Sequence, residues 1–238
     1  MRNMAQERLD KILASQGLGS RKEVGQWIRR GLVQVNGEIV RRPEQKADPE
    51  TDAVCLEGKP VTVKKHLYLM MNKPAGVLSA ARDPRTPTVV DLLPEPLRRR
   101  GLFPAGRLDK DTTGLLLLTD DGDWVHRVIS PKSHVYKLYE AVLDAPVEET
   151  DVEAFARGIP LKGFTCLPAR LHLPQEGNTA RVEVCEGKFH QVKRMFAARG
   201  KTVLQLRRLR VGGLWLDPSL KPGEIRELTE KERELIFL

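Results

Sequence analysis

The stretch GRLDKDTTGLLLLTDDGD, residues 106–123, sets five aspartates around an uninterrupted run of four leucines. Carboxylates in this setting could ligate a cation, attack a substrate, or simply terminate turns. Calcium is the first chemistry to test, because Asp109, Asp111, Gly114 and Asp120 fall at positions one, three, six and twelve of an EF-hand-like loop. Such a loop wants a bidentate glutamate at its last position and an amphipathic helix on either side. Here the last position is Asp120, position five is Thr113, and a leucine strand runs through the middle, so no metal site is expected. Asp120, Asp121 and Asp123 read as turn residues opening a helix whose apolar positions Val125, Val128 and Ile129 run up to Pro131. Asp109 differs. With Arg107 two residues before it and a rigid strand after it, its loop can hold a reactive carboxylate in a fixed place.

A second constellation lies in ARVEVCEGKFHQVKRMFAARG, which reads as a strand through Val182 and Val184, a turn at Gly187 and a helix ended by Gly200. Helical projection puts Phe189, Val192 and Phe196 on one buried face, with Lys193 about 40° to its side and Arg194 rotated away. A lysine beside a core usually needs a carboxylate, and Asp109 is available as the partner. The pairing would hold the aspartate ionised at neutral pH. A lysine snorkelling past the rim of its helix fits the same spacing equally well. His126, His134 and His190 form no HExxH or His/Cys set and read as surface or satisfied core residues. Lys73, in NKPAG, and Lys137 read either as phosphate contacts or as exposed charges.

The elements that must position these groups divide the chain in two. With 238 residues, 40% of them hydrophobic, it can bury a real core without staples. Lysine and arginine outnumber aspartate and glutamate by 40 to 32, a formal charge of +8 that suggests a polyanionic partner, nucleic acid first. Three scattered cysteines without a CxxC pair argue against disulfides and zinc and for reduced thiols. No signal-peptide-like region opens the sequence and no segment approaches the ~20 apolar residues of a membrane helix, so a soluble, cytoplasmic protein without membrane contact is expected.

Near the amino terminus, Leu9, Ile12 and Leu13 mark a first helix broken by QGLGS. Ser20 and Glu23 form a capping box for a second, with Val24, Trp27 and Ile28 inside and Gly31 at its end. LVQVNGEIV predicts a hairpin around Asn36-Gly37, a pair suited to a type I′ turn. Arg21, Lys22, Gln26, Arg29 and Arg30 lie away from the core of the second helix, and Arg41 and Arg42 follow the hairpin. Such a surface could track a phosphate backbone, and the scarcity of aromatics suits structured RNA better than single strands. A linker over 63–66 then leads to a strand starting at Leu67. Beyond it, strands and helices alternate irregularly, which indicates an α+β domain.

These motifs resemble known families. RLDKILA, SRKEV and VNG, within residues 6–62, resemble the RNA-binding module named after the fourth small-subunit ribosomal protein. NKPAG, GRLDKDTTGLLLLTDDG, SPKSHVYKLYEA and EGKFHQVKRMFAARG, in that order, closely resemble the RsuA branch of the RNA pseudouridine synthases over nearly the whole chain. The resemblance implies a helix–helix–hairpin RNA-binding domain over 6–62 and a catalytic domain over 67–236 with a mixed, largely antiparallel sheet and a central cleft. It implies isomerisation of a uridine in ribosomal RNA, without a cofactor. The family's essential aspartate, nucleophile or covalent partner in the reaction, matches Asp109. Tyr139 matches the tyrosine that packs against the target base and transfers protons. Lys193 matches the basic partner of the aspartate, where many relatives have arginine, and Arg107 matches the arginine near the stack vacated when the nucleotide flips out. TDDGDWVHR and KRMFAARG favour small-subunit ribosomal RNA, or a pre-ribosomal small-subunit particle, as the partner of a monomeric enzyme. A large-subunit synthase and a noncatalytic ribosome-assembly factor are the alternatives.

Overall fold

The computed structural model describes residues 6–173 and 177–238. The chain up to Leu67 groups with Leu93–Leu102 into one compact unit, and Tyr68–Leu92 with Phe103–Leu238 into another. The stretch 93–102, expected within the catalytic domain, packs with the amino-terminal unit. The physical reason is Arg100, whose guanidinium donates to the carbonyls of Ser15 at 3.0 Å and of Lys64 at 2.7 Å.

In that first unit, helix α1 (Leu9–Ser15) packs on α2 (Arg21–Arg29) through Leu9, Ile12, Leu13, Val24 and Ile28, all buried. The capping box forms as expected: the Ser20 hydroxyl accepts from the Glu23 amide, and the Glu23 carboxylate accepts from the Ser20 amide at 2.7 Å. Asn36 and Gly37 both take positive φ, 53° and 85°, giving the hairpin between Val33–Val35 and Glu38–Val40 its tight turn. A second hairpin, Val54–Leu56 with Lys59–Val61, extends this to four strands. Its turn at Glu57-Gly58 also uses positive φ. The short antiparallel pair Glu7–Arg8 with Lys46–Ala47 and helix α3 (Glu95–Arg99) also belong to this unit.

The second unit is built on a mixed sheet. Across it the strands run Arg170–His172, Thr179–Val184, Lys137–Leu143, Val203–Val211, Thr113–Thr119, Tyr68–Lys73 and Ile225–Glu227. Every neighbouring pair in that order is antiparallel except Val203–Val211 with Thr113–Thr119. At that parallel junction Gly114 lies opposite Arg208 with φ of +100°, and a Cβ there would collide with the Arg208 carbonyl. Only glycine fits so close a backbone approach. The leucine run is buried on both faces, since Leu115 to Leu118 all lie at the centre of the sheet. One core gathers Met70, Leu115, Leu117 and Trp124, and another gathers Phe155, Val182, Phe196 and Leu206. Asp121 caps α4 (Gly122–Ile129), accepting from the Trp124 amide at 3.0 Å, and also accepts from the Tyr68 hydroxyl at 2.6 Å. Asp121 thus serves the helix end, and Asp123 lies in its first turn.

Helix α5 (Glu149–Arg157) and α7 (Glu230–Leu235) lie outside the catalytic sequence blocks, whereas α6 (Gln191–Ala197) carries Lys193. Here one expectation is corrected. Phe189 is not on the buried face of a helix but 73% exposed. His190 takes a left-handed backbone, φ 48°, so the helix begins only at Gln191 and the 3.6-residue period cannot be extended back to Phe189. Val192 and Phe196, inside the helix, are buried as projected.

Candidate active site

The loop bearing Asp109 is pinned on both sides. Just before it, the Ser79 hydroxyl accepts from the Leu108 amide at 3.0 Å and donates to the Leu108 carbonyl at 2.8 Å. Around it, the ammonium of Lys73 lies within 2.9–3.3 Å of the carbonyl oxygens of Thr112, Pro74, Asp109 and Lys110. Lys73 is fully buried, so it is neither a phosphate contact nor an exposed charge. Its hydrogen bonds instead fold the backbone of residues 109–112 around its end. Burial pushes its ammonium down to about 8, against the opposing pull of the Asp111 and Asp109 carboxylates.

From α6, the Lys193 ammonium reaches Asp109 Oδ2 at 3.3 Å and also hydrogen-bonds Asp111 Oδ1. One cation therefore bridges both acids of the loop. The Asp111 carboxyl is held below the usual carboxylate range, first by its hydrogen bond with Lys193. On the other side of Asp109, Nε2 of His190 stands 3.6 Å from Oδ1. The start of α6 is braced in turn: Gln191 accepts from the Lys188 amide at 2.9 Å and donates to buried Glu186 at 2.8 Å.

Asp109 opens onto a cleft of about 470 Å³ whose apolar lining includes Leu78, Tyr139, Val184, Val192 and Leu206. Arg107 also lines it and is exposed. Tyr139, half-buried on the central strand, has Arg208 as its cross-strand neighbour. The Tyr139 hydroxyl accepts from Arg208 Nη1 at 3.3 Å, while Arg208 Nε donates to the Leu115 carbonyl at 2.7 Å. Lys137 is buried as well, which corrects its reading as a phosphate contact or exposed charge. Burial, with the charge of Arg208 nearby, pushes its ammonium down to about 8.

A carboxylate fixed by its backbone and paired with an ammonium, above an apolar slot large enough for a pyrimidine, is equipped for nucleophilic attack on a planar, uncharged ring or its sugar. The family model for RNA pseudouridylate synthase matches residues 67–198, and that for the S4 domain matches residues 7–53. The chain belongs to the RNA pseudouridylate synthase family. An RNA pseudouridine synthase of Bacillus subtilis is 47% identical to the synthase over 233 residues, 96% of this chain and 98% of the relative. The ribosomal small subunit pseudouridine synthase A of Escherichia coli strain K12 is 46% identical over 229 residues, covering 94% and 97% of the two chains. A crystal structure of a pseudouridylate synthase, 41% identical, superposes with a TM-score of 0.69 and covers 97% of the synthase and 99% of that chain.

The structure brings together Arg107 and Asp109 from one loop, Tyr139 from the central strand and Lys193 from α6, three separate stretches of sequence. In the first unit Lys22, Arg29, Arg30, Arg41 and Arg42 are exposed, and Arg21, also exposed, shares the carboxylate of Asp10 with Arg8. Sequence reasoning missed Asp111 as a second partner of Lys193, His190 beside Asp109, and Arg208 behind Tyr139. Lys73 carried the signal of its own role only in NKP, a strand end that pairs Lys73 with Gly114. Among the described residues no helix is long and apolar enough to cross a membrane.

Proposed function

We propose that the synthase isomerises a uridine of small-subunit ribosomal RNA, as naked RNA or within a pre-ribosomal particle, and does so as a cytoplasmic monomer. The observation that carries this is the Asp109–Lys193 pair, 3.3 Å apart, at the cleft that Tyr139 lines. Asp109, Lys193, Tyr139 and Arg107 all come from a single chain, which supports action as a monomer. The name of the Escherichia coli relative supports the small-subunit target.

The reaction breaks the bond from ribose C1′ to uracil N1 and forms one from C1′ to C5. A proton leaves C5 and N1 ends protonated, so atoms and charge balance without oxidant or cofactor. Asp109 supplies the attacking oxygen, and Lys193 keeps that oxygen charged and aimed. Tyr139 packs against the uracil and handles the C5 proton, with Arg208 fixing its hydroxyl. The uridine must leave its helix to reach this cleft, and Arg107 occupies the stack it vacates. Lys22, Arg29, Arg30, Arg41 and Arg42, with the exposed guanidinium of Arg21, hold phosphates.

The test is tritium release from ribosomal RNA carrying 5-tritiated uridine, with pseudouridines mapped in cells with and without the protein. Asp109→Asn should abolish release while RNA binding persists. Normal turnover by that variant would remove Asp109 from the chemistry, and a modified site in large-subunit RNA would overturn the proposed target. RNA binding by the wild type with no release from any ribosomal precursor would favour an assembly role.

A further inference from the structure

Phe189 is the most exposed aromatic ring of the catalytic unit, yet it is held in place. Its ring stacks on that of His190 with centroids 3.8 Å apart and planes 17° from parallel. His190 reaches this position only through a left-handed backbone, a conformation that costs a non-glycine residue on the order of 1 kcal/mol. The same bend sets His190 3.6 Å from Asp109. A flat two-ring stack therefore begins beside the reactive carboxylate and ends in an aromatic face open to solvent.

Single exposed apolar side chains are ordinary on protein surfaces. This one lines the substrate cleft, along with Arg107 and Lys188, so its surroundings suit a polyanion that carries flat rings. We propose that Phe189 is a stacking platform for the base next to the extruded uridine in the RNA chain. The target uracil itself belongs deeper, against half-buried Tyr139. When it flips out, the flanking nucleotide loses a stacking neighbour. The outer face of Phe189 replaces that neighbour on one flank, while Arg107 fills the gap against the other. Stacking on an aromatic tolerates any base, so the contact anchors the strand rather than reading its sequence. His190 serves as a positioning residue that fixes the Phe189 ring.

The proposal rests on the synthase reading of the cleft, and its test separates the two. A small-subunit RNA fragment containing the mapped uridine is prepared intact and with an abasic site at each flanking position. Binding and single-turnover rates are measured for the wild type, Phe189→Ala and Phe189→Trp. Phe189→Ala should weaken binding of the intact RNA by about 5- to 150-fold, the range of a base–aromatic stack. Phe189→Trp should bind as the wild type does. At one flanking position, the abasic RNA should bind wild type and Phe189→Ala equally. Equal binding of intact RNA by wild type and Phe189→Ala overturns the platform, as does an unchanged Phe189→Ala defect on both abasic RNAs. Tritium release by the wild type on the same fragment reports on the synthase reading alone: its loss would refute that reading whatever Phe189 does.

Discussion

Lys193 stands between two carboxylates, with its ammonium 3.3 Å from Asp109 and hydrogen-bonded to Asp111. The two acids differ in setting: Asp109 faces the cleft, whereas the Asp111 side chain is 74% exposed. Water can screen Asp111 when its partner is lost, but Asp109 has less to replace the cation. Lys193→Met should therefore lower the rate of tritium release by at least about 100-fold, the scale of a lost electrostatic contact to a reacting group. Lys193→Arg should keep most of the rate, since a guanidinium can serve both carboxylates. Asp111→Asn should change it by less than about threefold. A larger loss in Asp111→Asn than in Lys193→Met would mean that the wrong aspartate has been assigned.

Tyr139 offers the cleft a ring and a hydroxyl, and the two can be separated. Tyr139→Phe keeps the packing on the central strand but removes the acceptor of Arg208 Nη1. RNA affinity should hold, while single-turnover release should fall by about 100-fold or more, as for a lost proton-transfer group. A rate within a few-fold of the wild type would restrict Tyr139 to packing.

Much of this site was legible before any coordinates. Asp109 stood out as a carboxylate in a loop held by a following strand, and periodicity placed Lys193 beside a core, whereas Tyr139 came only with the family resemblance. The α+β class followed from the irregular alternation of elements, whereas the mixed sheet came only with the family resemblance. What stayed hidden were relations across the sheet and exceptions to local periodicity. Lys73 meets Asp109, 36 residues on, only because the Tyr68–Lys73 and Thr113–Thr119 strands pair in register. Arg208 meets Tyr139 for the same kind of reason. Phe189 was misplaced because one left-handed residue, His190, resets the helix phase. The second hairpin of the first unit, around Glu57-Gly58, lacked strong alternation in its short strands.

Lys73 now has a role that mutation can distinguish from phosphate binding. Of its four carbonyl partners, that of Asp109 also accepts from the Thr112 amide and that of Lys110 from the Gly76 amide. Those of Pro74 and Thr112 depend more heavily on the ammonium. Lys73→Met should cost about 2–5 kcal/mol of unfolding free energy, from buried acceptors left unpaired. It should also slow release by loosening the Asp109 loop, with the salt dependence of RNA binding unchanged. A phosphate-contacting lysine would give the opposite pattern: normal stability in denaturant and a salt slope reduced by about one.

Lys137 tests burial without adequate pairing. Its ammonium is enclosed, has Arg208 as a cationic neighbour, and meets the Cys185 carbonyl at only 3.5 Å. Its pKa of about 8 in the folded chain lies below the ordinary 10.5, so between those values the unfolded chain holds more protons than the folded one. Stability from this group therefore rises with pH across that window, and below pH 8 the full penalty of the buried charge is present. Lys137→Met, of similar length and without charge, should raise the unfolding free energy by about 2 kcal/mol at pH 7. The gain should shrink toward zero as pH approaches 10.5, once each stability is measured by denaturant titration against the wild type at the same pH. Lys73 titrates over the same range but is present in both proteins, so the difference isolates Lys137. A destabilised variant at pH 7 would show that the ammonium is satisfied where it lies and that its burial carries no net cost.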